Sequence, residues 1–538
     1  MLRQSTINKA ILSYLKNVPK QPSYDLDKIA KEVMTEIDKA LDVANTSRKG
    51  KGLPKWPNQT KLGFTEIALI INHLYITKKI SFLSNPTSED DDILGIYMEE
   101  GPKRGTYSID DTWLEKIAYR LASYELTTRD FREVKSVLRT LAEHTSITRD
   151  KNLIAVNNGI YKRDEQKLID FDPKYVFITK SPVDYKKDAK NVVIKNPDGT
   201  LWDVESWMKE IAQDEEIKDL LWQIVAASIR PNHGWTKAIW LYSEVGNNGK
   251  GTFCELVRNL AGAGNWISLQ VSEFSKEFAL GGLLQSSVVV TDENDVGKYI
   301  DDVANYKAAV TGDSFTINQK FKNPVTASFS GLIIQCMNGF PKTRDKTGSF
   351  YRRLLMVPFN KSFTGIEKPY IKRDYLARKE VLEYVLLKTL HMDFSDFNEP
   401  EVCKRIVNQY EEYNDTTVQF WNELRDEFVW DCLPSQFLYD LYISWQKRNA
   451  PYGKPVNKLT FMKELEFIVD RDEDWEFKAN QEDRIRVANK MDKVEMLIIE
   501  YNLTRWMDPL YTGNVPEKIT NFERKQSYRG ILRKPRSE

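Results

Sequence analysis

The sequence predicts an α/β protein organised around a parallel sheet and a phosphate-binding turn. Residues 238–242 form an apolar run typical of a buried strand, and a turn rich in Gly and Asn follows directly. Apolar residues then recur at helical spacing from Phe253 to Leu260. Strand, glycine turn and helix in this order are typical of phosphate-binding folds. Further nearly apolar runs, as expected for strands buried on both faces of a parallel sheet, are residues 286–295, 331–337 and 354–357.

Length and composition narrow the class of protein. A chain of 538 residues is too long for one hydrophobic core, so we expect about three or four domains. Basic and acidic residues both number 78, so contact with nucleic acid must come from local patches rather than from overall charge. The four cysteines form no C-x-x-C pair and the four histidines are scattered, which argues against a metal cluster and fits a reducing compartment.

The sequence has no recognisable signal peptide or membrane-spanning run. The first 20 residues lack the apolar core of a signal peptide, and no run of 18 apolar residues occurs. We therefore expect a cytoplasmic protein without a membrane partner.

The glycine turn is the predicted phosphate site. Glycines let the backbone point its N–H groups inward, the following helix adds positive potential, and a lysine neutralises phosphate charge. The turn departs from the pattern G-x-x-x-x-G-K-[ST], because Glu244 stands at the first glycine position and the hydroxyl comes one place late. A surface turn without a ligand is the alternative. The predicted ATP-binding residues are Gly246, Asn247, Asn248, Gly249, Lys250, Gly251 and Thr252.

Polar residues follow the next two predicted strands. Asp292 and Glu293 come at the end of the first, where ligands bind in open α/β sheets. An aspartate holds Mg²⁺, for which Thr252 is the second candidate ligand, and a neighbouring glutamate polarises an attacking water. An acidic turn is the alternative. Asn338 ends the second strand, where an amide senses the γ-phosphate and orients water.

Two basic groups have more than one interpretation. Arg352 and Arg353 precede the last apolar run and are either plain surface charge or an arginine finger that stabilises transition-state charge at a neighbour's nucleotide. Lys320, Phe321 and Lys322 lie in the turn of a predicted hairpin. Two lysines around an aromatic ring suit single-stranded nucleic acid, and the alternative is a structural hairpin with solvated lysines.

In this order the motifs resemble those of the superfamily 3 helicases, and most of all the phage, plasmid and poxvirus primase–helicase group. The phrases that carry the resemblance are NGKGTF, VVVTDEN, VTGD, MNGFPK, FYRRLLMVPF and, in the preceding module, NNGIY. The resemblance covers roughly residues 100–490. It implies an AAA+ type P-loop motor assembled as a ring, commonly a hexamer, with ATP between subunits and DNA in the pore.

The resemblance also assigns roles to the candidate residues. ATP and Mg²⁺ are the implied cofactors, and single-stranded and forked DNA are the implied partners, in the cytoplasm of a bacterial host. The implied roles are β/γ-phosphate binding for Lys250, Mg²⁺ positioning for Asp292, water activation for Glu293, sensing for Asn338, the finger for Arg352 or Arg353, and the pore hairpin for Lys320, Phe321 and Lys322. An origin-binding initiator and another ring ATPase without unwinding activity are the alternatives.

The predicted domain order follows from these assignments. Only about 90 residues precede the accessory module and no spaced aspartate pair is found on a strand, so we expect no primase activity and leave a separate primase as a partner. The predicted domains are a helical and linker region (1–92), an α+β accessory domain (93–200), the motor (201–365), a helical lid or linker (366–432), a winged-helix-like domain (433–505) and a basic tail (506–538).

The C-terminal prediction rests on helical and strand patterns. A helix after residue 434, a second helix capped by Asn457 and a strand-rich wing over residues 474–489 would form the winged helix. A protein-docking domain is the alternative, and the basic tail is expected to be flexible. The basic residues predicted to face DNA are Lys454, Lys458, Lys463, Arg484 and Arg486.

Overall fold

The elements of the chain pack into two units, Met1–Val407 and Asn408–Glu538. They are seen in a computed structural model that describes residues 2–535 except 22, 84–90, 296–299, 301, 321, 450–454, 471 and 479–483. Within these described residues, no helix is long and apolar enough to cross a membrane. Phe321 and Lys454, two of the predicted DNA contacts, lie outside the described residues.

The first unit begins with helices packed on a four-stranded sheet. The sheet has the order β3-β2-β1-β4, and β1 pairs with both β2 and β4, so its strands come from both sides of the predicted boundary at residue 92. Apolar faces of all five helices form one core. The elements are α1 (Arg3–Leu15), α2 (Leu26–Gly50), α3 (Phe64–Leu74), β1 (Thr77–Ser81), β2 (Ile93–Tyr97), β3 (Tyr107–Ser108), α4 (Asp111–Leu121), α5 (Thr128–Leu141) and β4 (Glu143–Ser146).

A small antiparallel sheet and two helices lead into the central sheet. The turn signal at Asn157-Asn158-Gly159 joins two paired strands, as predicted. The apolar stretch after residue 202 forms two helices, because Gln213 adopts a left-handed conformation (φ 61°) and the Asp214 carboxylate then accepts from the N–H of Ile217. The elements are β5 (Leu153–Val156), β6 (Gly159–Lys162), β7 (Lys167–Ile169), β8 (Ile194–Lys195), β9 (Leu201–Trp202), α6 (Val204–Ala212) and α7 (Glu215–Ser228).

A five-stranded, all-parallel sheet forms the centre of the first unit and confirms the α/β class with a parallel sheet. Its order is β11-β12-β15-β10-β16, and its four longer strands are buried along their whole length. The elements are β10 (Ala238–Tyr242), α8 (Lys250–Ala261), β11 (Trp266–Ile267), β12 (Val288–Thr291), α9 (Ala304–Thr311), β13 (Ser314–Ile317), β14 (Val325–Ser328), β15 (Leu332–Met337), α10 (Gly348–Tyr351), β16 (Leu354–Pro358), α11 (Pro369–Arg373) and α12 (Lys379–His391).

The second unit surrounds an aromatic core to which the end of the chain contributes. As predicted, the Asn457 side chain caps α16, accepting from the N–H of Thr460 at 3.0 Å. The elements, which start before the unit boundary, are α13 (Glu401–Asn414), α14 (Thr416–Leu424), β17 (Cys432–Pro434), α15 (Ser435–Asn449), α16 (Lys458–Val469), β18 (Trp475–Lys478), β19 (Ile485–Arg486), α17 (Met496–Glu500), α18 (Val515–Thr520), β20 (Ser527–Tyr528) and β21 (Gly530–Arg533).

The basic tail is folded rather than flexible, which corrects the expectation from its charge. β21 pairs with both β17 and β18, and β20 pairs with β19. Ile519 and Ile531 are fully buried, so the tail supplies apolar surface that its basic residues obscure in the sequence. The two strands of the predicted wing therefore pair with the tail and not with each other.

Candidate functional site

The phosphate turn places a buried lysine at the start of α8. Gly249, with φ 88°, precedes the helix, a conformation that favours glycine. Lys250 is only 5% exposed, and among the described residues its Nζ has no hydrogen-bond partner. Burial lowers the pKa of this ammonium. A buried, unpartnered cation is costly unless it meets an anion, so the residues present fit a phosphate group.

The turn is held by its own polar side chains. The Asn248 side chain donates to the carbonyl oxygen of Val245 at 2.5 Å, and the Asn247 carbonyl accepts from the N–H of Phe363 at 2.7 Å. Glu244, at the first glycine position of the pattern, accepts from the Tyr242 hydroxyl at 2.9 Å and so points to a neighbouring side chain. Glu244 in place of the first glycine of the pattern therefore does not disrupt the turn next to Lys250.

A cavity of about 890 Å³ opens beside this turn. Asn247, Asn248, Gly249, Gly251 and Thr252 form one wall. The rest combines apolar and basic side chains, including Trp207, Ile211, Phe363, Tyr370, Lys368 and Lys372. This size and mixture suit an organic ligand that carries an aromatic ring and negative charge.

Asp292 follows the carboxyl end of β12, which is two strands away from β10, the strand that leads into the turn. β12 pairs with β15, and β15 pairs with β10, all in parallel. An oxygen of Asp292 and the sulfur atoms of Cys254 and Cys336 lie within 4.8 Å of one another. Cys254 is one helical turn after Lys250, so α8 lies against the Asp292 end of the sheet.

Arg258 is a partner of Asp292 that the sequence analysis missed. Its Nη2 donates to Asp292 Oδ1 at 2.7 Å, and its guanidinium stacks on the Trp266 ring at 4.9 Å. Lys250, Cys254 and Arg258 are spaced four residues apart, so they share one face of α8. This spacing of four residues is the sequence signal that points to Arg258. Asp292 is 46% exposed at its side chain, which leaves Oδ2 open to a cation.

Glu293 is exposed and lines a second cavity of about 770 Å³ with Asp292 and Arg258. Its carbonyl oxygen accepts from the Gln270 side chain at 3.1 Å, which fixes the backbone after β12. The structure thus places the two carboxylates at the edge of one cavity, with Glu293 directed to solvent-accessible space.

An amide network that the sequence analysis missed connects the strand ends. Asn294 donates to Gln335 Oε1 at 2.8 Å and to the carbonyl of Cys336 at 3.2 Å, and Gln335 donates to the carbonyl of Leu269 at 2.9 Å. Gln335 is fully buried. Its only signal in the sequence was that it is a polar residue inside an otherwise apolar strand. Asn338 follows β15 directly and is exposed. It is therefore on the same sheet edge as Lys250 and Asp292.

The two arginines lie at the opposite edge of the sheet. They precede β16, and the Arg353 carbonyl accepts from the N–H of Ala238 at the start of β10. A five-residue strand spans roughly 16 Å, so neither arginine is beside the Lys250 turn of its own chain. Arg353 donates to the carbonyl of Ser349 and is half-buried, whereas Arg352 is exposed.

The predicted DNA hairpin is formed by β13 and β14, and its turn contacts the first part of the unit. Lys320 is exposed, and Lys322 Nζ lies 3.1 Å from Asp111 Oδ2. Asp111 also accepts from Lys135 at 2.7 Å. Burial opposes ionisation of this carboxylate, yet the two lysines keep its pKa below the ordinary value. Lys322 is therefore paired within the chain.

A second contact holds the base of the hairpin. Arg149 donates to the Ser328 hydroxyl at 2.8 Å and to the carbonyl of Phe82 at 2.6 Å. The hairpin is thus fixed at both its base and its turn to residues that precede the central sheet.

Comparisons with known families match three separate parts of the chain. A model described as D5 N terminal like matches residues 33–219, and one described as Poxvirus D5 protein-like matches residues 412–502. Two D5 models therefore flank the central sheet. Residues 241–353, which hold the candidate site, match a family of unknown function, DUF5906. The two D5 matches support a relationship to the D5-like primase–helicases of phages and poxviruses.

Solved structures with similarity to the chain include apo forms of the NrS-1 C terminal region. One is 12% identical, with 86% of this chain and 93% of that chain covered and a TM-score of 0.41. Another, titled as residues 305–718, is 14% identical, with 82% and 94% covered and a TM-score of 0.40.

Proposed function

We propose that the chain is an ATP-dependent replicative DNA helicase of superfamily 3 that serves a phage, plasmid or mobile element. The observation that carries the proposal is the buried ammonium of Lys250, which has no hydrogen-bond partner among the described residues and whose neighbours in the turn line a cavity suited to a nucleotide. The carboxylates of Asp292 and Glu293 lie at the same sheet edge, two strands away. The D5 matches add a replicative context.

In this proposal each residue at the edge has one task. Lys250 binds the β- and γ-phosphates, and Lys372 supplies a second cation, because a Cβ at Gly251 would lie only 3.5 Å from its Nζ. Glu293 accepts a proton from the attacking water, and Asn338 orients that water. The apolar wall formed by Trp207, Phe363 and their neighbours holds the base.

The donor set also fits a magnesium ion. Asp292 supplies carboxylate oxygen and Thr252 supplies the hydroxyl nearest to Lys250 in sequence, and hard oxygen ligands are those that Mg²⁺ prefers. When bound, Mg²⁺ would neutralise phosphate charge. Arg258 holds one oxygen of Asp292 and so orients the carboxylate.

The position of the arginines supports the proposal of ring assembly. Because Arg352 is exposed at the edge opposite Lys250, it would serve the nucleotide of a neighbouring subunit and not its own. Arg353, held by the Ser349 carbonyl, would position the segment that presents Arg352. We propose a homo-oligomeric ring, of six subunits by the family resemblance, with ATP sites between subunits and single-stranded DNA in the pore.

One observation favours a second candidate, an ATPase that assembles on DNA without unwinding it. Lys322 is paired with Asp111, so the hairpin of this chain is engaged internally. A motor that threads DNA must exchange this partner for a phosphate. Lys322 is exposed and Asp111 keeps Lys135 as a second partner, so a DNA phosphate can take over Lys322 without leaving the partly buried carboxylate unpaired, and we prefer the helicase.

The first test is Glu293→Gln. Removing the proposed base while keeping the side-chain shape should leave nucleotide binding within about twofold and lower ATP turnover by about 10²-fold or more. Binding of a fluorescent ATP analogue and steady-state phosphate release measure the two quantities. Glu277→Gln, an exposed glutamate away from the strand ends, is the control. Normal turnover by Glu293→Gln would reject the base assignment.

A further inference from the structure

A second concave site lies in the second unit, apart from the residues that serve the proposed motor. It is a cavity of about 560 Å³ formed by the start of α15, the start of α16 and the folded tail. We call it the tail pocket. Its basic lining residues are Lys458, Arg484, Arg505, Lys525 and Arg529.

The concentration of positive charge in the tail pocket is local. Five basic residues and one acidic residue, Glu523, line it, although acidic residues outnumber basic ones in residues 408–538 as a whole. Arg484, Lys525 and Arg529 are exposed, and no carboxylate partner is seen for them among the described residues. Two carboxylates, Glu523 in the lining and Asp440 at 3.8 Å from Arg505, offset only part of this positive charge, so the arrangement favours an anionic ligand.

The secondary structure adds to this potential. Ser435 and Gln436 begin α15, Lys458 begins α16, and all three line the tail pocket. Helix N-termini carry partial positive charge and offer N–H donors to anions. Burial lowers the pKa of Lys458, and Arg505 lowers it further against the opposing effect of Asp440. Two helix starts and five cations therefore converge on one cavity.

Aromatic side chains form the remaining surface. Trp506, Phe522 and Tyr528 line the tail pocket, and the last two are only partly buried. Asp440 fixes the floor by accepting from Trp506 Nε1 at 3.0 Å and from Gln436 at 2.7 Å. Cations beside accessible aromatic rings match the alternating phosphates and bases of a single strand.

We propose that the tail pocket binds one or two nucleotides of single-stranded nucleic acid, with phosphates on Lys525 and Arg529 and a base against Phe522 and Tyr528. A concave site of this volume suits an unstacked nucleotide, whereas the bases of a duplex stay stacked and cannot reach the rings. The proposal does not depend on ATP hydrolysis by the first unit. It assigns a nucleic-acid site to the segment that we expected to be a flexible tail.

The test uses the full chain without nucleotide, in the Lys320→Ala/Lys322→Ala background, so that the proposed motor hairpin does not contribute. Binding of a fluorescent oligo-dT of eight nucleotides is compared with and without Lys525→Gln/Arg529→Gln. We expect at least a tenfold loss of affinity. The slope of log affinity against log salt should fall by about 0.7 for each phosphate contact removed.

A matched control removes the same charge elsewhere in the unit. Lys447 and Lys493 are exposed and do not line the tail pocket, so Lys447→Gln/Lys493→Gln should stay within twofold of its parent. Equal losses in the two double variants would overturn the proposal, because the effect would then reflect overall charge. Unchanged affinity in Lys525→Gln/Arg529→Gln would overturn it as well.

Competition and cross-linking identify the ligand class. Ultraviolet cross-linking of 5-iodouracil oligonucleotide to the otherwise unaltered chain should label Tyr528, Phe522 or Trp506, as read by mass spectrometry. Duplex DNA, polyglutamate or millimolar inorganic phosphate should compete at least tenfold less well than unlabelled oligo-dT. Equal competition by any of these three would contradict a single-strand pocket and indicate a duplex surface, an acidic-peptide site or a simple anion site, respectively.

Discussion

At the residue scale, Lys250 carries the largest share of the proposed function. Among the described residues its buried ammonium has no hydrogen-bond partner, an arrangement that destabilises the empty protein and favours a bound phosphate. A side chain at such a position is retained for binding rather than for stability. This view predicts that stability and binding respond in opposite directions when the charge is removed.

We predict that Lys250→Met leaves the thermal midpoint of the nucleotide-free protein unchanged or higher, because Met fills similar space without a buried charge. The same variant should lose the stabilisation by ATP, which for wild type reaches about 2.7 kcal/mol at a hundred times Kd. Thermal unfolding with and without Mg²⁺ and ATP measures both effects, with the exposed Lys190→Met as control. A normal ATP shift in Lys250→Met would contradict the assignment.

Lys180, which lies away from the proposed site, is predicted to make the stability of the protein depend on pH. It is 7% exposed, donates to Asn157, and burial lowers its pKa to about 8 from an ordinary 10.5. Between these values the unfolded chain holds the proton more tightly than the folded chain. The contribution of Lys180 to the free energy of unfolding is therefore lowest below pH 8 and rises as the pH increases toward 10.5.

The measurement compares wild type with Lys180→Met at several pH values. The free energy of unfolding of wild type relative to the variant should rise between pH 8 and pH 10, with a slope of at most about 1.4 kcal/mol per pH unit. Below pH 7.5 the difference should be flat. A difference that is constant over the whole range would show that Lys180 titrates normally in the folded protein.

At the element scale, the hairpin of β13 and β14 is the part that separates a helicase from other ATPases. We predict that Lys320→Ala/Lys322→Ala keeps basal ATP turnover within about twofold and loses stimulation by single-stranded DNA, because phosphate contacts disappear while the ATP site is intact. Phosphate release with and without oligo-dT measures this. Lys187→Ala/Lys190→Ala, two exposed lysines outside the hairpin, should behave as wild type. Full stimulation of the hairpin variant would reject its role.

Elements with one dominant pattern were predictable from the sequence, and those that depend on distant partners were not. β10, β12 and β15 are buried on both faces, so their apolar runs alone identify them. β21 could not be predicted, because its four residues gain stability only by pairing with β17 and β18. The ion pair of Lys322 with Asp111 could not be predicted either, because the two residues are 211 positions apart in the sequence.

The candidate site shows the same division. Lys250 and Asp292 were predictable because each follows a recognisable strand. Arg258 and Lys372 were not predicted, because a basic residue on a helix is usually solvated and only the fold brings Arg258 to Asp292 and Lys372 to Gly251. The tail pocket required three distant segments to meet, so charge counting alone predicted a flexible tail in its place.

At the scale of the whole molecule, the proposal needs subunits that complete each other's sites. Lys250 and Arg352 lie at opposite ends of the strands of one parallel sheet, so in the proposal a single chain would present an ATP site without a finger and a finger without an ATP site. A closed ring satisfies both. ATP turnover would then be coupled between neighbours, and movement of the hairpins along a strand would unwind the duplex ahead.

The most direct measurement is strand displacement on a forked duplex with a fluorescent reporter, in the presence of Mg²⁺ and ATP. We predict ATP-dependent unwinding by wild type, and none by Glu293→Gln or Arg352→Ala although both bind DNA. A wild-type protein that hydrolyses ATP and binds the fork but never separates its strands would contradict the helicase and favour an ATPase that only assembles on DNA.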